Sequence, residues 1–169
     1  MLRAQMGRPL KGKSRVAARC ALGLPVVIRT HPVQPDGTPF PTLYYLTCPL
    51  ARTRVARLEY GGGVRAFAER LEREPELAQA FAAAQEAYAR ERAEALDPAD
   101  PAHARLRGGV GGAVGGVKCL HAHYAHHAAG GANPVGRAVA AEVEPLDCAE
   151  PCVRDGARNP GWREPRPGP

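Results

Sequence analysis

The alternation of apolar and polar positions predicts a short pair of strands followed by a run of helices. Val26-Val27-Ile28-Arg29-Thr30 is β-branched, and Thr42-Leu43-Tyr44-Tyr45-Leu46-Thr47 mixes β-branched and aromatic residues. Both compositions favour strands. The stretch from His31 to Pro41 is rich in proline and carries the turn signal Asp36-Gly37, so the two runs pair as an antiparallel hairpin with a long connection. Pro49 suits the first turn of a helix in which Leu50, Val55 and Leu58 face a core, Arg52, Arg54 and Arg57 face mostly outward, and Gly61-Gly62-Gly63 ends the run. Val64 to Arg73 and Pro75 to about Leu96 read as two further helices. The second has Leu77, Phe81, Ala84 and Tyr88 on one stripe. Asp97 to Pro101 breaks the chain, a glycine-rich loop runs from Gly108 to Gly116, a further helix follows it, and Asn133-Pro134 opens a short helix to about Ala141. A hairpin alone is marginal in water and must pack on something larger. The expected fold is therefore α+β and mostly helical, with a small antiparallel β-hairpin packed on four or five helices.

Charge changes this picture at the ends. The net charge of +6 is accounted for by Arg3, Arg8, Lys11, Lys13, Arg15 and Arg19, because residues 1–20 hold no acid and the rest of the chain balances. Residues 1–19 read as a disordered basic tail, residues 20–152 as one globular domain, and residues 153–169, dominated by Arg, Pro and Gly, as a second disordered tail. Residues 1–20 suit loose contact with nucleic acid, anionic lipid or an acidic partner. No run approaches the roughly 18 apolar residues of a membrane span, and the first residues lack the apolar stretch of a secretory signal. A cytoplasmic location is the expectation. There, cysteines serve more often as ligands, nucleophiles or buried thiols than in disulfides.

The candidate chemistry is concentrated in Cys119-Leu120-His121-Ala122-His123-Tyr124-Ala125-His126-His127, which holds four of the six histidines and one of the five cysteines. On a helix that includes Cys119, the side chains of Cys119, His123, His126 and His127 fall on one face, at roughly 0°, 40°, 340° and 80°, with His121 nearly opposite. Thiol and imidazole donors together suit zinc, with iron second. Three ligands on one short helix strain a tetrahedral site, so Cys48, Cys148 or Cys152 should complete it. Catalytic zinc sites keep a position for water, which would make the protein hydrolytic, with His121 or His127 moving the proton; a closed site would be structural. Cys48 sits at a strand-to-helix junction, where unsatisfied N–H groups favour a thiolate. Gly116 and Lys118 form a weaker anion-site candidate. Gly111 to Gly116 has P-loop glycine spacing, but Val117 and Cys119 stand where Lys and Ser or Thr belong. Glycines that let the loop pass close to other backbone explain it more simply.

Several blocks carry a resemblance. Leu24-Pro25, Asp36-Gly-Thr-Pro-Phe-Pro-Thr-Leu-Tyr-Tyr-Leu-Thr-Cys-Pro49, Arg57-Leu-Glu59, Gly116-Val-Lys-Cys-Leu-His-Ala-His-Tyr-Ala-His126 and Asn133-Pro-Val-Gly136 resemble the bacterial family called domain of unknown function 501. The similarity spans about residues 15 to 150. It implies a compact cytosolic protein typical of actinobacteria, whose relatives carry a septum-formation label through gene proximity. It transfers no catalytic residue. The competing expectation is a non-catalytic interaction protein of cell division with structural histidines.

Overall fold

A computed structural model describes residues 1–165. Its elements are α1 (Leu2–Met6), β1 (Ser14–Arg19), β2 (Pro25–Thr30), β3 (Tyr44–Leu46), α2 (Pro49–Tyr60), α3 (Gly63–Arg73), α4 (Pro75–Glu94), α5 (Leu120–Ala128), α6 (Pro134–Val143), β4 (Val153–Arg154) and β5 (Ala157–Arg158). The architecture is α+β and mostly helical. The expected hairpin is there, with Val27 opposite Leu46 and Arg29 opposite Tyr44 in antiparallel register.

The sheet has a third strand. β1 pairs antiparallel along the other edge of β2, with Ser14 opposite Thr30 and Val16 opposite Ile28. These residues were expected to lie in the basic tail. Val16 and Ala18 are half-buried while Arg15, Ala17 and Arg19 are exposed, so a weak two-residue alternation runs beneath the charge. The other end is likewise built: β4 and β5 pair around Asp155-Gly156. Residues 166–169, the close of the second expected tail, lie outside the described residues.

Flanked on both edges, β2 is the floor of the core, and Val26, Val27 and Ile28 are buried. Helices contribute Leu50 and Val55 from α2, Phe81 and Tyr88 from α4, Leu120 and Tyr124 from α5, and Val135, Val139 and Val143 from α6. Tyr88 carries a polar atom into this core, and its hydroxyl accepts the Leu43 N–H at 2.5 Å. Arg92, one turn further along α4, is also buried. Its guanidinium donates to the carbonyls of Pro41, Gly108 and Gly109, which secures the glycine-rich loop against the sheet connection.

That loop is tightly packed. A Cβ at Gly109 would lie 2.1 Å from the Gln85 amide oxygen, and one at Gly112 would lie 2.8 Å from Pro41. The Val110 N–H is already donated to Gln85 and the Gly109 N–H to Ala113. Close approach explains these glycines without a bound anion. Among the described residues no helix is long and apolar enough to cross a membrane.

Candidate metal centre

α5 begins at Leu120, one residue later than the face argument requires. Cys119 is its N-cap, in extended conformation at φ −154° and ψ 118°. The Cys119 thiol therefore leaves the helix instead of lying one turn below His123. It turns toward α2, where Glu59 stands near the C-terminal end. One Glu59 oxygen accepts the Leu120 N–H at 2.6 Å, satisfying a donor of the first turn of α5. The other lies 3.2 Å from His121 Nδ1. Glu59, Cys119 and His121 each offer a ligand atom within 4.8 Å of the others, and among the described residues no further group of three or more such donors gathers that closely.

The His121 ring is fixed from its far side. Nε2 donates to the Arg52 carbonyl at 3.1 Å, which leaves Nδ1 to face Glu59 and Cys119. Metal-bound histidines are commonly oriented this way, with the second ring nitrogen held by a carbonyl or carboxylate. Burial alone would push the His121 pKa down, but Cys119 and Glu59 outweigh it and push it up to about 9. Burial would raise Glu59, yet the facing imidazole and its hydrogen bonds hold it below the usual carboxylate value. Without an ion, the cluster is held together by a proton.

The three side chains are half-buried, and Cys119 and His121 border a cavity of about 270 Å³, also lined by Thr42, Tyr45, Arg52 and Lys118. Lys118, one of the two weak anion candidates, thus stands beside the cluster. Gly116 lies elsewhere, its carbonyl 3.5 Å from the Gln85 side-chain amide.

The remaining sequence candidates do not join this group. His123 and His126 point to the opposite side of α5 and meet at Asn133. The Asn133 side-chain NH₂ reaches His123 Nδ1 at 3.0 Å and His126 Nδ1 at 3.2 Å, and its carbonyl oxygen accepts the Gly136 N–H at 2.8 Å, capping α6. His123 stacks on Phe81 and His126 on Tyr44. Burial holds His123 neutral down to about 4 and lowers His126 as well. Their Nδ1 lone pairs already have a protein donor. His127 is half-buried where α5 meets α6, and a Cβ at Gly136 would fall 2.6 Å from its own.

Cys48 is buried at the N-terminal end of α2, as its N-cap, while Glu59 stands near the other end of that helix. The expected thiolate is reversed there: burial pushes the thiol up to about 11, outweighing the N–H groups of Ala51 and Leu50. Cys148 accepts the Trp162 indole N–H at 3.4 Å, and Cys152 accepts from Gln5 at 3.6 Å. All five cysteines are unpaired.

Sequence reasoning missed Glu59 and gave His121 the part of a proton carrier, not of a ligand. The signal that marked Glu59 was its place in the Arg57-Leu-Glu59 block.

A family model described as protein of unknown function DUF501 matches residues 16–141. The chain belongs to this family. The match contains Glu59, Cys119 and His121, together with Cys48, His123, His126, His127 and Asn133. It leaves out α1, Cys148, Cys152 and the β4–β5 arm. No curated protein and no solved structure shows significant similarity to the chain.

Proposed function

We propose that this DUF501 protein is a metal-binding protein whose Glu59, Cys119 and His121 hold a divalent transition metal, zinc first and iron second. What carries the reading is the gathering of three different donors within 4.8 Å, with His121 already oriented by the Arg52 carbonyl. Carboxylate oxygen, thiolate sulfur and imidazole nitrogen are all zinc ligands. A transition metal would replace the proton that otherwise holds His121 and Glu59 together.

Three protein ligands, of which Cys119 and His121 line an open cavity, follow the pattern of a reactive centre more closely than that of a closed structural one. The activity class proposed is metal-assisted hydrolysis in the cytoplasm, whose reducing conditions keep the five thiols free. Arg52 and Lys118 on the cavity wall favour a substrate that carries negative charge.

Elemental analysis of the purified full chain tests this. The expected result is one zinc or iron per chain, lost in both Cys119→Ala and His121→Ala and kept in His123→Gln. Absence of stoichiometric metal, or full retention in both of the first two variants, overturns the reading.

A further inference from the structure

Most arginines of this chain are engaged by the protein itself. Arg54 holds the Val143 and Pro145 carbonyls and the Asp147 carboxylate. Arg57 holds Glu164, Arg70 holds Glu74, and Arg154 holds Glu150. Arg92 is consumed by loop carbonyls. By contrast, the side chains of Arg3, Arg52 and Arg158 have no hydrogen-bond or ion-pair partner among the described residues. They come from α1, α2 and β5, yet all three line one open cleft of about 750 Å³ with no aspartate or glutamate on its wall.

The fold brings them together for identifiable reasons. Gln5 is buried under the sheet, donating to the Pro25 carbonyl at 2.9 Å, and so fixes the short α1 with Arg3 on its outer side. Pro49, Arg52, Thr53 and Ala56 follow the i, i+3, i+4, i+7 spacing of one face of α2, the face that forms the opposite wall. The β4–β5 turn closes the third side with Gly156 and Arg158. His121 lines this cleft as well as the smaller cavity, and so does Arg52. The cleft therefore reaches the Glu59, Cys119 and His121 cluster through His121.

Three guanidinium groups without counter-charges leave their planar N–H forks available to an incoming anion, and such forks match phosphate oxygens in pairs. A monocarboxylate would engage one of them. A group carrying two or more charges can engage all three. The size falls within the range of about 300–1,000 Å³ typical of small-molecule sites, and the body of the chain outside residues 1–20 is charge-balanced. This favours a compact ligand over a long polyanion.

We propose that the cleft binds a small molecule bearing a phosphate or diphosphate group, gripped by Arg3, Arg52 and Arg158. As the substrate-recognition face of the metal centre it rests on the preceding reading. As a binding site it does not.

Calorimetric titration of the full chain with inorganic diphosphate tests the claim, with acetate and a single-stranded oligonucleotide as comparison ligands and metal content measured on each sample. The expected result is saturable diphosphate binding that weakens with added salt, little acetate binding, and at least tenfold weaker diphosphate binding in the double variant Arg3→Gln/Arg158→Gln. Both positions are exposed, so the variant should keep the wild-type circular dichroism and metal content. Arg52→Gln gives an independent second loss. Failure to bind diphosphate, equal binding by wild type and the double variant, or tighter oligonucleotide binding that survives the double substitution would each overturn the cleft. Diphosphate binding by a chain that carries no metal would sink the metal reading alone and leave the cleft standing.

Discussion

The two sides of α5 hold histidines of opposite character, although they are two residues apart. On one side His123 and His126 are buried, neutral, stacked on aromatic rings and tied at Nδ1 to Asn133. On the other side His121 is half-buried, faces Glu59 at 3.2 Å and borders two cavities. A helix advances about 100° per residue, so positions 121 and 123 differ by roughly 200° and cannot share an environment. The first group spends its lone pairs inside the fold, and the second keeps one directed at other donors. A run of histidines is thus not one site. Its two faces divide into a buried knot around Asn133 and a half-buried cluster with Glu59 and Cys119.

The largest effect should come from the knot. Asn133→Ala removes the cap of α6, a loss of about 1 kcal/mol. It also leaves two buried imidazole nitrogens without a donor, at roughly 1–3 kcal/mol each. A total of at least about 3 kcal/mol in urea unfolding, with metal content unchanged, is expected. A change below about 1 kcal/mol would mean that Asn133 caps α6 and does nothing for the histidines.

Gly131→Ala should follow. A Cβ there would sit 2.1 Å from the His126 ring, and overpacking of this kind costs about 1–3 kcal/mol. Thermal melting checks it. An unchanged midpoint would show that His126 is free to move, against the stacking on Tyr44.

A sharper effect is expected in the pH dependence of the metal-free protein. His123 binds its proton only near pH 4 when folded, against 6.5 when free. The unfolded chain takes up that proton first, so stability should fall as pH drops below 6.5 and level off near 4. His121 has the reverse displacement, up to about 9. Its contribution is complete below 6.5 and lost as pH rises through 9. His121→Gln should remove the alkaline limb and leave the acid limb. Loss of both limbs in that variant would show that the two faces are coupled.

The smallest effect expected is on the stability of the metal-free protein at neutral pH in Glu59→Gln. The amide oxygen can still accept the Leu120 N–H, so the change should stay within about 1 kcal/mol, while bound metal is lost. A variant that retains full metal would remove Glu59 from the ligand set.

The hairpin, the order of helices from α2 to α6 and their proline and glycine boundaries were all legible in the chain. They follow from local rules: β-branched runs, an apolar stripe, a proline in a first turn, an asparagine cap. β1 was not legible, because its half-buried alternation is weak and six positive charges dominate the first twenty residues. The position of Cys119 was misjudged for a related reason. One residue of difference in the start of α5 turns its sulfur from the His123 face to the Glu59 side.

What the sequence determined by itself is the set of elements and the concentration of sulfur and imidazole donors in one segment. The partners of those donors were decided only by tertiary structure. Glu59 precedes Cys119 by sixty residues and reaches it because α2 packs directly against α5, while Asn133 claims the other histidines because α6 folds back along α5. Periodicity reports which residues share a face. It carries no information about what that face will meet, since that depends on how several faces are buried together.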